Sequence, residues 1–364
     1  MTQTEATKKA LRKPPKESGI DWSKGLSTGS TTLNLSLTGR TGIGYLPCHY
    51  YLFVGSSGSG KTFLTMTALA EAAINPAYDK HDLVFENCEN GALMDVARYF
   101  GPKLPDRLEP LAGTASKPIH PTILEDHYDL LFDRLKSGPC VILTDSMDAL
   151  TPRAFVKKIA ADRKVMSKGD DAKGSYGTEK ARINSDRMRM LPDLLRKHGS
   201  IYILISQSRD NIGFGAQFTP ETRGGGRALT FYAALEMWTK VVGHLHSKKI
   251  NGKEREQGVL CQVRIRKNRI TGRDRSTVVP ILHSFGIDDI GSMVDFLVEE
   301  GRWNAIKKEG EADDEPEEGK KKRPSRINAP DFDMAGSREK IIQHIEAEGL
   351  EKELKMLVSD TFNQ

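Results

Sequence analysis

The sequence predicts an α/β fold in which a mostly parallel central sheet is flanked by helices. Three observations predict it. The short apolar runs YYLFVG, LVFEN, CVILTDS and IYILISQ alternate with longer helical stretches. Buried runs separated by helices are the pattern of parallel strands joined by crossover helices. The first run leads into GSSGSGKT at 55–62, which fits G-x-x-x-x-G-K-[ST], and the helical run FLTMTALAEAA follows. A strand, a glycine-rich loop and a helix in that order form a phosphate cradle.

Composition sets the outer limits. The chain has 364 residues, 38% hydrophobic and 28% charged. That excludes a wholly disordered chain and suits a soluble protein with polar extensions, as one large domain plus appendages or as two domains. No apolar run approaches the ~18 residues of a membrane span. The opening MTQTEATKKALRKPPKES has no apolar stretch behind its charges, so no secretory signal is expected. The 54 basic and 49 acidic side chains leave a formal charge of +5, too mild to establish a nucleic-acid partner. Cys48, Cys88, Cys140 and Cys261 are scattered, with no close metal-ligand pair. They read as reduced thiols of a cytoplasmic protein.

Residues 1–25 are basic, and Pro14-Pro15 breaks any helix begun near Ala6, so they read as an arm. Residues 26–305 form the expected core. Its later runs, ALEMWTKVVG, CQVRIRKN and STVVPILHSFG, lie closer together and are expected to finish the sheet as antiparallel strands. Residues 306–336 hold an acidic block followed by a basic one, the composition of a charged linker. Residues 337–364 carry helical apolar spacing at Ile341, Ile342, Ile345, Leu350, Leu354 and Leu357, with Ser337 as N-cap. They read as a small helical C-terminal element.

The phosphate cradle comprises Gly55, Ser56, Ser57, Gly58, Ser59 and Gly60. Its backbone N–H groups are expected to face phosphate oxygens, with Lys61 reaching the terminal phosphates of ATP and Thr62 ligating Mg²⁺. A carboxylate at the end of a neighbouring strand completes such a site. CVILTDS supplies Asp145, with Ser146 beside it. Alone, Asp145 reads equally as a cap after a buried strand; the phosphate loop favours the metal role.

Further motifs run in order along the chain: LSTGSTTLNLSL, DSMDALTPRA, ISQSRDNIG, TRGGGRALTFYAA, RKNRI and GSMVDFLVEEGRW. This set, over about 26–305, resembles the RecA family, the bacterial and phage ATP-dependent strand-exchange recombinases. The resemblance implies a RecA-like P-loop NTPase core and DNA-dependent ATP hydrolysis coupled to homologous recombination and repair. It implies a helical filament of the chain with itself on single-stranded DNA, testing homology against double-stranded DNA. Single-strand-binding or loader proteins are further partners it allows.

Residue by residue, the resemblance gives Glu89, in NCEN, the task of polarising the attacking water. Glu86 stands close by as an alternative surface carboxylate. Gln207 becomes the sensor of the γ-phosphate. Lys267 and Arg269 become cations reaching the neighbouring subunit's ATP; without the family, they read as an alternating solvated strand face. The first DNA loop would use Lys157, Lys158, Arg163, Lys164 and Lys168. The second would use Arg209, Arg223 and Arg227, with Phe214 and Phe218 against bases. This chain departs from the family where Asn87 replaces an acid, and where Leu93 and Val96 stand in place of the residues flanking adenine. The acidic block Glu309–Glu318 reads as a linker or as a restraint on DNA access. Two other readings use the same loop: a ring helicase, and a non-catalytic, ATP-switched protein that coats or anneals single strands.

Overall fold

The computed structural model describes residues 20–166, 178–211, 221–246, 256–306 and 326–363. The described strands are, in order, β1 (His49–Gly55), β2 (Asp82–Asn87), β3 (Leu108–Glu109), a small hairpin of β4 (Ala112–Thr114) and β5 (Lys117–Ile119), β6 (Cys140–Asp145), β7 (Ile201–Asp210), β8 (Glu221–Arg223), β9 (Leu235–His246), β10 (Glu256–Asn268), β11 (Arg275–Leu282) and β12 (Gly286–Ile287). The main sheet runs β3-β2-β6-β7-β1-β9-β10-β11-β12, with β8 paired onto β7. Pairing is parallel from β3 to β9. It turns antiparallel through β10, β11 and β12.

The four apolar runs of the sequence are β1, β2, β6 and β7, as predicted. Their alternation sorts side chains to two buried layers. Tyr51, Phe53, Ile203 and Ile205 join one core with Leu64 and Leu69. Leu52, Val54, Ile142 and Leu204 join the other with Leu131 and Leu135. Expecting ALEMWTKVVG to be antiparallel fails in one respect. β9 lies parallel to β1, from Tyr51↔Leu235 to Gly55↔Thr239, and the reversal begins one strand later. The helix Ala228–Tyr232 precedes β9 and returns the chain to the bottom of the sheet, so β9 enters in the same sense as β1.

The registers decide where chemistry can occur. Gly55 pairs with Gln207 and Thr239, and Asn87 with Asp145. The carboxyl ends of β1, β7, β6 and β2 therefore open on one edge, the edge where open parallel sheets take ligands.

The helix Lys61–Ile74 buries Leu64, Ala68, Leu69, Ala72 and Ala73. Its last carbonyls have no partner within the helix. Arg107 supplies one. Its guanidinium donates to the carbonyls of Ala72 and Ala73 at 3.2 and 3.1 Å, and to those of Tyr78 and His81 at 2.7 and 3.1 Å.

A third apolar cluster forms the C-terminal lobe. It joins Met293, Val294, Leu297 and Trp303 to Ile327, Ile341, Ile345, Leu354 and Val358. A small antiparallel sheet of β13 (Asn304–Ile306), β14 (Arg326–Ala329) and β15 (Met334–Gly336) lies beside it. Residues 326–336, read from composition as part of the linker, thus carry two strands. Ile327 and Ala329 are apolar enough to be buried there. The Ser337 cap forms, its hydroxyl accepting from Lys340 N at 3.4 Å. The stretch after it is two helices, Arg338–Glu348 and Glu351–Phe362, parted at Gly349, whose φ is 67°. Arg338 ties the lobe to the core side through Asp288 at 2.7 Å and Asp295 at 2.8 Å. No helix among the described residues is long and apolar enough to cross a membrane.

Arg107→Ala should lower the unfolding free energy by about 2–3 kcal/mol, because several carbonyls lose a charged donor. Arg107→Lys should restore less than half, lacking the planar fork. A shift in urea midpoint measures both; an unmoved midpoint would show that the cap is idle.

Candidate nucleotide site and its surroundings

Gly58 and Gly60 have φ of 72° and 83°, which side-chain-bearing residues rarely adopt and which turns the loop's N–H groups inward. A Cβ on Gly55 would sit 2.3 Å from Thr239 Oγ1 and 2.6 Å from Ser59 Oγ, so only glycine fits at the end of β1. Two side chains from the neighbouring strands form the floor. Thr239 and Ser59 share a hydrogen bond of 2.7 Å, and Cys261 Sγ donates to Ser59 O at 3.0 Å. Sequence reading took Cys261 for one of four scattered reduced thiols. Only the β9–β10 pairing reveals its place under the loop.

Lys61 is buried and donates to Ser56 O at 2.6 Å. Burial pushes its pKa down, while Asp145 and Glu89 nearby pull it back up. Thr62 Oγ1 donates to Asp145 Oδ2 at 2.5 Å, so the two expected Mg²⁺ ligands meet. Burial raises the Asp145 pKa, against the Thr62 hydrogen bond. A desolvated carboxylate beside a hydroxyl at the mouth of a phosphate loop suits a hard cation that shares its shell with phosphate oxygens and water. The donor set therefore fits Mg²⁺. Among the described residues no group of three or more His, Cys, Asp and Glu forms a metal cage.

Glu89 lies at the centre of the same edge. Its Oε1 accepts from Gln207 Nε2 at 2.8 Å and from the Ser146 hydroxyl. Its own N–H donates to Asp145 O at 3.2 Å. Asn87, the departure from the family's acid, accepts from Gly91 N at 3.2 Å and so fixes the turn that carries Glu89. Glu86 is eliminated as the alternative. It is fully buried, accepting from His127 Nδ1 at 2.9 Å and from Thr144 Oγ1 at 2.7 Å.

Asp148 is a residue that sequence reading missed. It accepts from Ser206 Oγ at 2.8 Å, Gln207 N at 2.6 Å and Arg209 Nη2 at 3.4 Å. Lys180 holds the same turn by donating to Met147 O at 2.6 Å and Leu150 O at 2.7 Å. The signal was present in DSMDAL, where Asp148 stands three residues after Asp145. Nothing in the sequence said that it faces β7.

The expected DNA contacts divide. Lys157, Lys158, Arg163 and Lys164 share the helix Arg153–Met166, and Lys157 is exposed. Arg209, 65% exposed, ends β7, and Arg227 is exposed ahead of the helix Ala228–Tyr232. Lys168, Phe214, Phe218 and the block Glu309–Glu318 lie outside the described residues. Arg223 is a correction. Its side chain is 8% exposed and faces Glu236 at 3.7 Å. It donates to Gly224 O at 2.9 Å, to Gly226 O at 3.1 Å and to the Thr230 hydroxyl. It clamps the glycine turn, whose Gly225 and Gly226 have φ of 83° and 84°, and is not free for phosphate.

Lys267 and Arg269 stand apart from this edge. Lys267 pairs with Glu236, which is level with Leu52 in β1, below the loop. Lys267 Nζ donates to Thr230 O at 2.5 Å and Phe231 O at 2.8 Å, and Arg269 Nη2 to Phe231 O at 2.7 Å. Burial, helped by Arg269, pushes the Lys267 pKa down to about 8.

Comparison with known proteins identifies the family. The family model for the RecA N-terminal domain matches residues 11–288. Protein RecA of Wolbachia pipientis subsp. Culex pipiens is 30% identical over 272 residues, covering 74% of this chain and 67% of that protein. Protein RecA of Solidesulfovibrio magneticus is 29% identical over 278 residues, covering 76% and 69%. Protein RecA of Acinetobacter baylyi is 29% identical over 290 residues, covering 78% and 71%. The chain belongs to the RecA family of ATP- and DNA-binding recombination and repair proteins.

Proposed function

We propose that this chain is a strand-exchange recombinase that assembles on single-stranded DNA as an ATP-bound helical filament. The observation that carries the reading is the hydrogen bond between Gln207 and Glu89 at 2.8 Å. It joins the residue assigned to the water with the residue assigned to the γ-phosphate. The phosphates of ATP lie in the Gly55–Gly60 cradle, and Lys61 swings from Ser56 O to the terminal phosphates. Thr62 and Asp145 would hold Mg²⁺, which when bound would supply positive charge to the site. Glu89 orients a water in line with the γ-phosphate and accepts its proton, while Ser146 fixes the carboxylate.

Gln207 exchanges its bond with Glu89 for one with the γ-phosphate. Because Asp148 holds Gln207 N, Ser206 and Arg209 together, that exchange is passed to the segment after β7. Arg209, Arg227 and the lysines of the helix Arg153–Met166 then contact DNA phosphates. Base pairing reads the sequence, so the protein supplies backbone contacts and a stacking surface. Lys267 and Arg269, which in this chain donate to the carbonyls of Thr230 and Phe231, are assigned to a neighbouring subunit's ATP on the family resemblance.

Glu89→Gln should lower DNA-stimulated hydrolysis by about 10²–10⁴-fold, the usual worth of a general base. Filaments on single-stranded DNA with ATP should persist in electron micrographs. Normal hydrolysis by the variant would overturn the catalytic assignment. Closed rings in place of filaments would move the protein to the helicases.

The Lys267 ammonium is charged below about pH 8 and neutral above it. Turnover that needs this cation is therefore full below that pH and falls as pH rises through it. Lys267→Arg should flatten the fall, because a guanidinium stays protonated. An identical alkaline limb in the variant would show that another group titrates.

A further inference from the structure

A cavity of about 620 Å³ opens between the first described segment, the β10–β11 turn and the last helix. Arg40, Arg273 and Arg275 line it, together with the rings of Trp22 and Phe362. The Arg40 guanidinium lies 4.3 Å from the centre of the Trp22 ring, and that of Arg275 lies 4.4 Å from the Phe362 ring. Arg275 also donates to Leu35 O at 3.3 Å. Threonine and serine hydroxyls, among them Thr38, Thr271 and Ser359, complete the wall.

No aspartate or glutamate lines this cavity, and none of the three arginines has an ion-pair partner among the described residues. Five arginines elsewhere in the fold, Arg134, Arg153, Arg187, Arg302 and Arg338, each hold a carboxylate. Acids adjacent in sequence to the lining have partners of their own: Asp21 pairs with Lys24. Asp274, between two of the arginines, pairs with Arg264 at 3.3 Å, and Asp360 acts on Arg302. Burial and Arg273 together push the Arg275 pKa down. Three like charges gathered in one concavity repel unless an anion joins them.

The chemistry narrows the ligand. Guanidinium forks match the oxygens of phosphate. The volume suits a small ligand. Both rings already carry a guanidinium on one face, so charge dominates the cavity over stacking with a base. We propose that this cavity binds the phosphate chain of a free polyphosphate or nucleoside triphosphate, as a second anion site separate from the Gly55–Thr62 loop. The assignment does not depend on the catalytic reading of the first site.

The test uses the full chain carrying Lys61→Ala, so that the phosphate loop contributes little. Calorimetric titration with tripolyphosphate should show one saturable event. Adding Arg40→Gln and Arg273→Gln should weaken it at least tenfold, since two charged donors are lost. Arg273 is exposed and forms no ion pair among the described residues, so Arg273→Gln alone carries the test, with at least threefold weakening, if the combination unfolds. ATP titrated in parallel identifies the source. Equal affinity means that the phosphates alone are read; tighter ATP binding, equally sensitive to the arginines, means that a nucleotide is the ligand. Either supports the site. Absent tripolyphosphate binding, or binding indifferent to the arginines, overturns it. So does arginine-dependent binding of duplex DNA without any of tripolyphosphate.

Discussion

The hydrogen bond between Gln207 and Glu89 is the interaction on which the rest of this site depends. Its partners end strands that are not neighbours, because β6 lies between β2 and β7. They meet because two registers agree, Thr144 with Leu204 and Asn87 with Asp145, and the pairing of Gly55 with Gln207 brings the phosphate loop level with them. A slip of one residue in any of them would turn a side chain to the opposite face. The sheet therefore serves as a ruler that places the glycine-rich loop, Asp145, Glu89 and Gln207 on one edge.

Asp148 extends that ruler along β7. Its carboxylate gathers Ser206, the N–H of Gln207 and Arg209, which ties the end of β7 together. A rigid end lets one amide's choice of partner become a change in the following loop, which is how order–disorder switches work. On the other side of β1, Cys261 and Thr239 brace the phosphate loop from β10 and β9. β10 runs on from Cys261 to Lys267, so the strand beneath this chain's loop also carries one of the two cations proposed to face a neighbouring subunit's ATP, and Arg269 follows just past its end.

Much of this was legible in the sequence, for identifiable reasons. The phosphate loop and its strands could be read because glycine spacing and continuous apolar runs are local signals. Asp145 could be read because it ends such a run, whereas Glu89 and Gln207 were reached only through the family resemblance. What escaped is non-local. Arg223 looks like a phosphate contact until the Glu236 beside it and the glycine carbonyls around it appear. Asp148 looks like a turn residue until β7 lies opposite. The parallel sense of β9 depends on where the helix Ala228–Tyr232 delivers the chain. Asn87 reads as a lost acid in a motif, yet in the fold it caps the turn behind Glu89. The Arg40–Arg273–Arg275 cavity draws on segments more than two hundred residues apart, and no window along the chain contains it.

The most direct test of the central claim compares single-stranded DNA affinity in the presence of a non-hydrolysable ATP analogue and of ADP. The account predicts a clear preference for the ATP-analogue state in the wild-type chain. In Gln207→Ala that preference should collapse toward unity while nucleotide affinity stays within about threefold, since one neutral hydrogen bond is worth roughly 1 kcal/mol. A Gln207→Ala chain that keeps the full preference would contradict the claim that this amide links the nucleotide to DNA.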